Sequence, residues 1–357
     1  MRRFEFVGGT SSKFWEVSQS ETRVTVRFGR IGGDGQTQTK DCGTWDEAAE
    51  RVRKLIAEKL REGYVEVEGS GPRPETEPGF RRPPTFPPYE PPALPPDGPI
   101  AVGSVRLPAG RRLQGDPQYA ARGSTPVTQP VVWATDQPIP QAGRAVYWLR
   151  STANALNLVP VLLAAMDGEP SRPWDSREFS PADPRRASVL DPAAELAKAW
   201  SETFDQEDEE SVVPLTPFGK KFPGLAQPPA LASELRDDGD LLEQMAERRV
   251  ALVAATRAAD VVIALGWMGA VNVHDDPALI SAVLRSWEVR WGARLVELGF
   301  DTLKLTVAVP PPDEKSALAI AAEHFALCPD NIWQGAETIA AYAQSLVGAR
   351  TWEFWWD

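Results

Sequence analysis

The sequence predicts a multi-domain α+β protein, in which a small antiparallel sheet with one helix is joined by a proline-rich linker to an α/β layered C-terminal domain. Apolar and polar residues alternate along much of residues 1–68, proline makes up 12 of the 31 residues at 69–99, and strand-like and helix-like segments alternate from about residue 249. Alternation with a period of two is typical of half-buried strands, and strands separated by helices are typical of layered α/β folds.

Residues 1–68 are predicted to form the small sheet and its helix. The segments FEFVGG, KFWEVSQ and RVTVRFG alternate apolar with polar side chains and are separated by glycine or polar residues. Thr44 and Glu47 have the spacing of a capping box, and apolar residues then recur at helical spacing from Ala48 to Ile56. We therefore expect a small sheet with one helix laid across it, the helix ending at Gly63.

Residues 69–99 are predicted to be a linker. Proline fixes φ and removes an amide donor, so this segment is expected to be polyproline II or coil. At about 3.1 Å per residue, it is long enough to hold the flanking domains tens of ångströms apart. Its PxxP-like spacings leave open a second role as a ligand of domains with an aromatic groove.

Residues 100–245 are interpreted as a middle region packed with the C-terminal part, and residues 246–357 as the C-terminal α/β domain. The middle region has mixed strand-like and helix-like runs, a helix at PAAELAKAWSETF and an acidic run at 205–210 typical of a solvated loop. Farther on, strands are predicted at RVALVAAT, ARLVELGF, DTLKLTVAVP and TWEFWWD, and helices at DDPALISAVLRSWEVRWG, DEKSALAIAAEHFALC and AETIAAYAQSLVG.

Charge distinguishes the N-terminal domain from the rest of the chain. The protein has a net charge of −12, yet residues 1–68 carry 12 basic and 12 acidic residues. Residues 100–357 carry 23 basic and 34 acidic residues, a net charge of −11. A surface that binds a polyanion is therefore expected at the N-terminus, and a cationic partner suits the remainder.

The chain is expected to be cytoplasmic and to make no membrane contact. Its start lacks an apolar signal segment, and its longest nearly uninterrupted apolar run, Val261 to Val271, is far shorter than the roughly 20 residues of a membrane span. Cys42 and Cys328 form no CxxC pair, which argues against a disulfide framework and a cysteine-based zinc finger.

The segment VRFGRIGGDGQ, residues 26–36, places a glycine-rich turn among Arg27, Phe28 and Arg30. Glycine supplies the positive φ of a turn, but a turn requires neither an aromatic ring nor two guanidinium groups. The combination therefore suggests that the turn binds something.

The run KFWEVS…TRVTVRFGRIGGDGQTQTKDCGTWDEAAERVRKLIAEKLREGYVEV resembles the WGR domain, which is named for Trp-Gly-Arg and occurs in poly(ADP-ribose) polymerases and many bacterial proteins. The resemblance covers essentially all of residues 2–68 and implies a small antiparallel sheet with a helix. In the polymerases the domain contacts DNA ends. The motif falls on Phe28, Gly29 and Arg30, so phenylalanine stands where the family has tryptophan.

The resemblance implies a nucleic-acid contact at this turn, with DNA as the first choice. Guanidinium forks suit phosphate oxygens, glycine amides can form an anion-binding nest, and stacking on an aromatic ring is worth roughly 1–3 kcal/mol per base. The predicted nucleic-acid-binding residues are Arg27, Phe28, Gly29, Arg30, Gly32, Gly33, Gly35, Gln36, Lys54 and Lys59. Two alternatives stay open: a protein contact, and a structural role in which Phe28 packs under its own sheet while Arg30 pairs with Asp34 or Asp41.

A second resemblance covers the C-terminal segment from about Arg249 to Asp357. This segment is similar to an uncharacterised bacterial family, domain of unknown function 4253. The resemblance implies no activity. The residues that carry the likeness are Glu323, Cys328-Pro329-Asp330, Gln334-Gly335 and the final Trp355-Trp356-Asp357.

The weak catalytic candidates of this domain are Glu323, His324, Cys328 and Asp330. His324 and Cys328 are four residues apart, so both are expected on one helical face. Zinc binding would need a further ligand, for which His274 is a candidate, and a Cys/His pair would need an accessible thiolate. In the structural alternative, Cys328 packs at a helix end and His324 lies half exposed. We therefore assign no confident catalytic residue, no metal and no cofactor.

Trp352, Trp355 and Trp356 are the predicted protein-contact residues. Strand alternation sends Trp352 and Trp356 to one face and Trp355 to the other, so at least one large ring is expected to meet solvent, a ligand or another domain. Packing of this tail into its own domain core is the alternative.

These features predict a non-enzymatic bacterial adaptor whose WGR-like module contacts nucleic acid or a partner, coupled to an acidic protein-binding domain. One alternative is an immunity or antitoxin-type protein whose acidic domain neutralises a basic partner. Another is an enzyme or a metal site that uses His324 and Cys328.

Overall fold

The structure is a computed structural model and divides into two compact units, Met1–Pro83 and Pro84–Asp357. Most of the predicted linker, the acidic run up to residue 209, and Glu47 of the predicted capping box lie outside the described residues. The described residues are 2–8, 11–20, 22–31, 36–44, 48, 51–52, 54–56, 59, 64–67, 89–121, 124–203, 210–228 and 237–357.

The N-terminal unit contains a five-stranded antiparallel sheet with the strand order β4-β3-β2-β1-β5. This confirms the predicted small antiparallel sheet, to which β4 and β5 add strands that the alternation pattern did not single out. The strands are β1 (Arg2–Gly8), β2 (Ser11–Ser20), β3 (Arg23–Arg30), β4 (Gln36–Asp41) and β5 (Val65–Val67).

One face of this sheet packs against helical residues to form the core of the unit. Ala48 and Ile56, both in helical backbone, are buried in the same cluster as Phe4, Trp15 and Val17. Removing such side chains from water provides roughly 25 cal/mol per Å² of apolar area, which gives a small domain much of its stability. The opposite face of the sheet is not covered by these helical residues, and it carries charged side chains.

The second unit is built on an eight-stranded sheet with the order β13-β12-β11-β9-β10-β8-β7-β6. Neighbouring strands are antiparallel except for β11 and β9, which are parallel. The strands are β6 (Gly98–Val102), β7 (Val105–Leu113), β8 (Val132–Thr135), β9 (Leu158–Leu163), β10 (Arg249–Ala254), β11 (Ala293–Leu298), β12 (Thr302–Val307) and β13 (Thr351–Trp355).

The helices of this unit cover a sheet whose central strands are fully buried. Every residue of β9 and β10 is buried, so both faces of the sheet are covered at its centre. The predicted mixed α+β fold is therefore confirmed. The helices are α1 (Ala142–Asn154), α2 (Pro192–Glu202), α3 (Gly239–Glu243), α4 (Val261–Leu265), α5 (Pro277–Trp291), α6 (Glu314–Leu327) and α7 (Ile339–Leu346).

Capping residues determine where the two long helices near the C-terminus begin. The side chain of Asp276 accepts a hydrogen bond from the amide of Ala278 at the start of α5, which ends at Gly292 with a left-handed φ of 58°. Asp313 caps α6 in the same way by accepting from the amide of Ser316. Such caps are worth about 1 kcal/mol each and set the position of the side chains that follow. Of the helices within the described residues, none is long and apolar enough to cross a membrane.

Candidate functional site

The face of the N-terminal sheet opposite the helical residues carries a row of charged side chains. Arg3, Glu16 and Arg27 lie opposite one another on β1, β2 and β3. Glu16 accepts from Arg3 Nη1 at 2.8 Å and from Arg27 Nη1 at 2.9 Å. The side chain of Glu16 is 4% exposed, whereas those of Arg3 and Arg27 are 20% and 25% exposed. Two guanidinium groups thus share one buried carboxylate.

Phe14 lies next to this row on the same face of β2. The guanidinium carbons of Arg3 and Arg27 lie 4.5 Å and 5.0 Å from the centre of its ring. Cation–π contacts at such distances contribute roughly 0.5–2 kcal/mol, depending on solvation. We name Arg3, Phe14, Glu16 and Arg27 the arginine row; its partly exposed cations are held in fixed positions.

Strand alternation separates two of the predicted contact residues. Arg27 belongs to the arginine row, whereas Phe28 is half-buried and packs with the core on the opposite face. The side chain of Phe28 thus makes the contacts of the structural alternative, under its own sheet. Gln36 is exposed on β4 and lies opposite Phe28.

The remaining predicted nucleic-acid contacts are only partly described. The backbone of Gly29 and Arg30 ends β3, Lys54 is exposed, and Lys59 Nζ lies 5.4 Å from the centre of the Tyr64 ring. Gly32, Gly33 and Gly35 lie outside the described residues, as does Asp34. Pairing of Arg30 with Asp41 is wrong, because the strand register places Asp41 opposite Arg23 at the far end of β3.

In the second unit, Glu323 is fully buried in a saturated ion pair. Its Oε1 accepts from the Ala226 amide at 2.7 Å and from Arg290 Nη1 at 2.8 Å. Its Oε2 accepts from Trp287 Nε1 at 2.9 Å and from Arg290 Nη2 at 2.5 Å. A carboxylate has about four acceptor sites, so no oxygen of Glu323 is left to take a proton from a substrate. This glutamate ties α6 to α5 and to the segment around Ala226.

His324 is enclosed by aromatic rings and has no exposed surface. The centre of its ring lies 4.6 Å from that of Trp352, 4.8 Å from Trp287 and 4.9 Å from Phe354. Its Nδ1 shares a hydrogen bond with Tyr342 Oη at 3.0 Å, and its buried Nε2 has no partner among the described residues. Burial, and secondarily the charge of Arg290, lower the pKa of His324 well below its usual value. The expectation that this residue lies half exposed is wrong.

Cys328 is buried immediately after α6. Its Sγ donates to the Trp355 carbonyl at 2.9 Å, and its amide bonds to the His324 carbonyl. Burial raises the pKa of the thiol to about 12, which opposes formation of a thiolate. Asp330 accepts from Gln334 and from the Asp357 amide. These contacts do not form a Cys/His nucleophile pair.

His274, considered as a further metal ligand, lies close to the end of α6. Its Nε2 shares a hydrogen bond with the Leu327 carbonyl at 2.8 Å, and burial lowers its pKa to about 4. It lines a cavity of about 260 Å³ together with Glu195, Lys198 and the partly exposed Trp333. Among the described residues, no group of three or more His, Cys, Asp and Glu side chains is placed to hold a metal ion.

The tryptophans of the C-terminal strand have unequal exposure. Trp352 and Trp356 are 1% and 2% exposed, whereas Trp355 is half-buried. Trp356 Nε1 donates to the Leu327 carbonyl at 3.1 Å, and its ring meets that of Trp267 edge to face. The predicted protein contact through Trp352 and Trp356 is therefore corrected, because both rings belong to the core. Trp148, by contrast, is 57% exposed and presents a large aromatic surface to solvent.

Sequence patterns indicate Arg27 as a contact residue but do not indicate its partner Glu16. Alternation indicates which residues share a face, but the cross-strand neighbours depend on the register of two hairpins. The ion pair between Glu323 and Arg290 was not predicted from the sequence either. The two residues lie on different helices, and no spacing pattern connects them.

Comparison with known proteins identifies two parts of this chain. Residues 1–71 match the WGR domain family, and residues 249–357 match the domain of unknown function DUF4253. The chain is 39% identical over 66 residues to Protein YehF of Escherichia coli (strain K12), and 32% identical over 65 residues to Uncharacterized protein YfeS of the same organism. Each match spans 18% of this chain, and the chain covers 24% and 27% of the respective relatives.

A solved structure from Bacteroides fragilis is also similar in sequence over a short segment. The identity is 45%, with 18% of this chain and 19% of that chain covered and a TM-score of 0.18. The chain thus covers between 19% and 27% of the length of these matched proteins.

Proposed function

We propose that this chain, which carries a WGR domain at residues 1–71 and a DUF4253 domain at residues 249–357, is a non-enzymatic bacterial adaptor. Its WGR domain contacts nucleic acid, with DNA as the first choice, and its acidic second unit binds a protein partner in the cytoplasm. The match of residues 1–71 to the WGR family carries this proposal.

The arginine row supports an anionic ligand for the WGR domain. Arg3 and Arg27 both pair with the carboxylate of Glu16, and their side chains stay 20% and 25% exposed, so guanidinium groups reach the surface of this face. Guanidinium groups held in fixed positions lose less side-chain entropy when they bind phosphate than free ones do. The other proposed contacts are Arg30, the glycine turn, Gln36, and the lysines Lys54 and Lys59 of the helix, which packs on the opposite face of the sheet from the arginine row.

Burial in the second unit favours a binding role over catalysis. His324 and Cys328 are both inaccessible, and Glu323 has its oxygens occupied by four donors. A general base must reach the proton that it abstracts, and a nucleophilic thiol must ionise. Neither condition is met by these side chains, so the enzyme hypothesis receives no support from their geometry.

The test is fluorescence anisotropy of the full chain with blunt duplex DNA, recessed duplex DNA, single-stranded DNA and RNA over a salt series. Arg30→Ala is compared with Arg23→Ala, a matched control on the same strand that is 70% exposed at the opposite end. We expect binding that weakens with salt, with a several-fold larger loss of affinity for Arg30→Ala than for Arg23→Ala. The absence of binding at low salt would contradict the nucleic-acid contact, and equal losses in both variants would contradict its placement at the turn after β3.

A second candidate is favoured by the charge of the chain beyond the linker. Residues 100–357 have a net charge of −11, which would accelerate association with a cationic protein such as a basic toxin. A pull-down from bacterial extract at low and high salt tests this function. Retention of a basic protein that is released by salt supports an immunity or antitoxin role, whereas recovery of neutral or acidic proteins alone contradicts it.

A further inference from the structure

A small cavity lined by arginine lies at the junction of α1, β9, α5 and β11. Its volume is about 120 Å³. Three of its lining side chains are Arg150, Arg257 and Arg294, and the carboxylate that lines it is Glu288. This concentration of positive charge contrasts with the acidic composition of residues 100–357.

Arg150 and Arg257 each pair with a carboxylate and keep further N–H donors. Arg150 Nη1 donates to Asp238 at 2.6 Å, while the buried Nη2 of the same group has no partner among the described residues. Arg257 Nε donates to Glu288 Oε2 at 2.7 Å. A guanidinium group has five N–H donors, so each of these arginines keeps donors beyond the one bonded to its carboxylate.

Arg294 adds a charge that the carboxylates around the cavity do not neutralise. It is exposed on β11, and among the residues that the structure describes it forms no salt bridge. Burial, and the nearby charge of Arg294, lower the pKa of Arg150, although Asp238 opposes this effect. The cavity therefore places like charges close together, an arrangement that a bound anion would relieve.

We propose that this cavity binds a phosphate-sized oxyanion, either free phosphate or the phosphoryl group of a small monoester. Three guanidinium groups from sequence-distant elements provide forked donors matched to tetrahedral oxygens. A cavity of about 120 Å³ has room for a phosphoryl group. This site is separate from the proposed contact surface of the WGR domain and draws residues from both the DUF4253 match and the region before it.

The test is thermal denaturation of the full chain in increasing sodium phosphate or glycerol phosphate, with sodium chloride keeping the ionic strength constant. Arg294→Gln and Arg294→Lys are compared with Arg106→Gln, a control that removes an exposed arginine from β7. We expect a concentration-dependent rise in Tm for the wild type and Arg106→Gln. Arg294→Gln should need at least tenfold more phosphate for the same rise, and Arg294→Lys should fall between them.

Either phosphate source raising Tm in this pattern supports the site, and the two titrations distinguish free phosphate from a monoester. Phosphate also stabilises proteins without binding, by exclusion from their surface. That effect would be equal in all four proteins. An equal response of wild type and Arg294→Gln, or no response beyond that to chloride, overturns the proposal.

Discussion

Each unit of this protein buries a glutamate beside arginine, but the surroundings of the two carboxylates differ. Glu16 bridges Arg3 and Arg27, which keep a fifth to a quarter of their side-chain surface exposed. Glu323 is 0% exposed and is enclosed with Arg290 and Trp287 near the ring of His324. The first arrangement positions cations at a face, whereas the second joins helices inside a core. The same pair of residue types thus positions partly exposed cations in one unit and joins helices in the other.

The largest expected difference concerns the one cysteine in each unit. Cys42 is half-buried, whereas Cys328 is buried with a pKa of about 12. At pH 8, raising a thiol pKa from about 9 to about 12 lowers its thiolate fraction about a thousandfold, and burial adds to this. We expect a maleimide to label Cys42 in the native chain and to label Cys328 only after denaturation. The Cys42→Ser variant provides the matched control, and rapid native labelling in that variant would contradict the enclosed core.

The next effect is the loss of stability when Glu323 is removed. Glu323→Ala leaves the Trp287 indole N–H without its acceptor and the Arg290 charge without its carboxylate, although Arg290 still donates to the Ala226 carbonyl and to Ser286 Oγ. The loss of the buried carboxylate should cost about 3–5 kcal/mol. The exposed Glu353, paired with Lys304 at 2.9 Å, is the control, and Glu353→Ala should cost less than about 1 kcal/mol. Urea denaturation followed by circular dichroism measures both. Similar losses of unfolding free energy in the two variants would contradict the prediction that the buried Glu323 ion pair contributes more to stability than the exposed Glu353 pair.

A smaller effect is expected for the arginine row. Glu16→Ala leaves two arginines that water can still reach, so the loss should be about 1–3 kcal/mol and confined to the N-terminal unit. Hydrogen exchange of peptides from β1, β2 and β3, measured by mass spectrometry on the full chain, reports it. Thr39→Ala, on the exposed strand β4, should change exchange little. Unchanged protection in Glu16→Ala would contradict the bridging role of this carboxylate.

The mildest effect is a dependence of stability on pH. The folded-state pKa of His324 lies below the unfolded value of about 6.5, so the unfolded chain binds this proton first as pH falls. The contribution of neutral His324 to the free energy of unfolding is fully present above about pH 7. Below about pH 6.5, this contribution should decrease by up to about 1.4 kcal/mol per pH unit. His274→Gln removes the other histidine. Urea denaturation of that variant at pH 7.5, 6.5 and 5.5 measures the remaining slope, and a flat profile would contradict the depressed pKa.

Sequence patterns predicted most of the regular structure because the physical signals are local. The alternation in KFWEVSQ and RVTVRFG predicted β2 and β3, and the segment DDPALISAVLRSWEVRWG predicted α5, which Asp276 caps. Alternation also placed Trp352 and Trp356 together on one face, but it did not show that this face is buried. That face is the core, because aromatic rings from α5 and α6 meet it.

The composition and motifs alone determined the mixed fold, the WGR and DUF4253 resemblances and the uneven charge, since each depends on residue types and spacings along the chain. Tertiary structure decided which charges are paired and which groups are accessible. Glu323 became saturated because α5 brings Arg290 to α6, and Arg150, Arg257 and Arg294 converge because the sheet joins β9, β10 and β11. Solvation and pairing depend on neighbours distant in sequence, and these two properties fix the chemistry of a charged side chain.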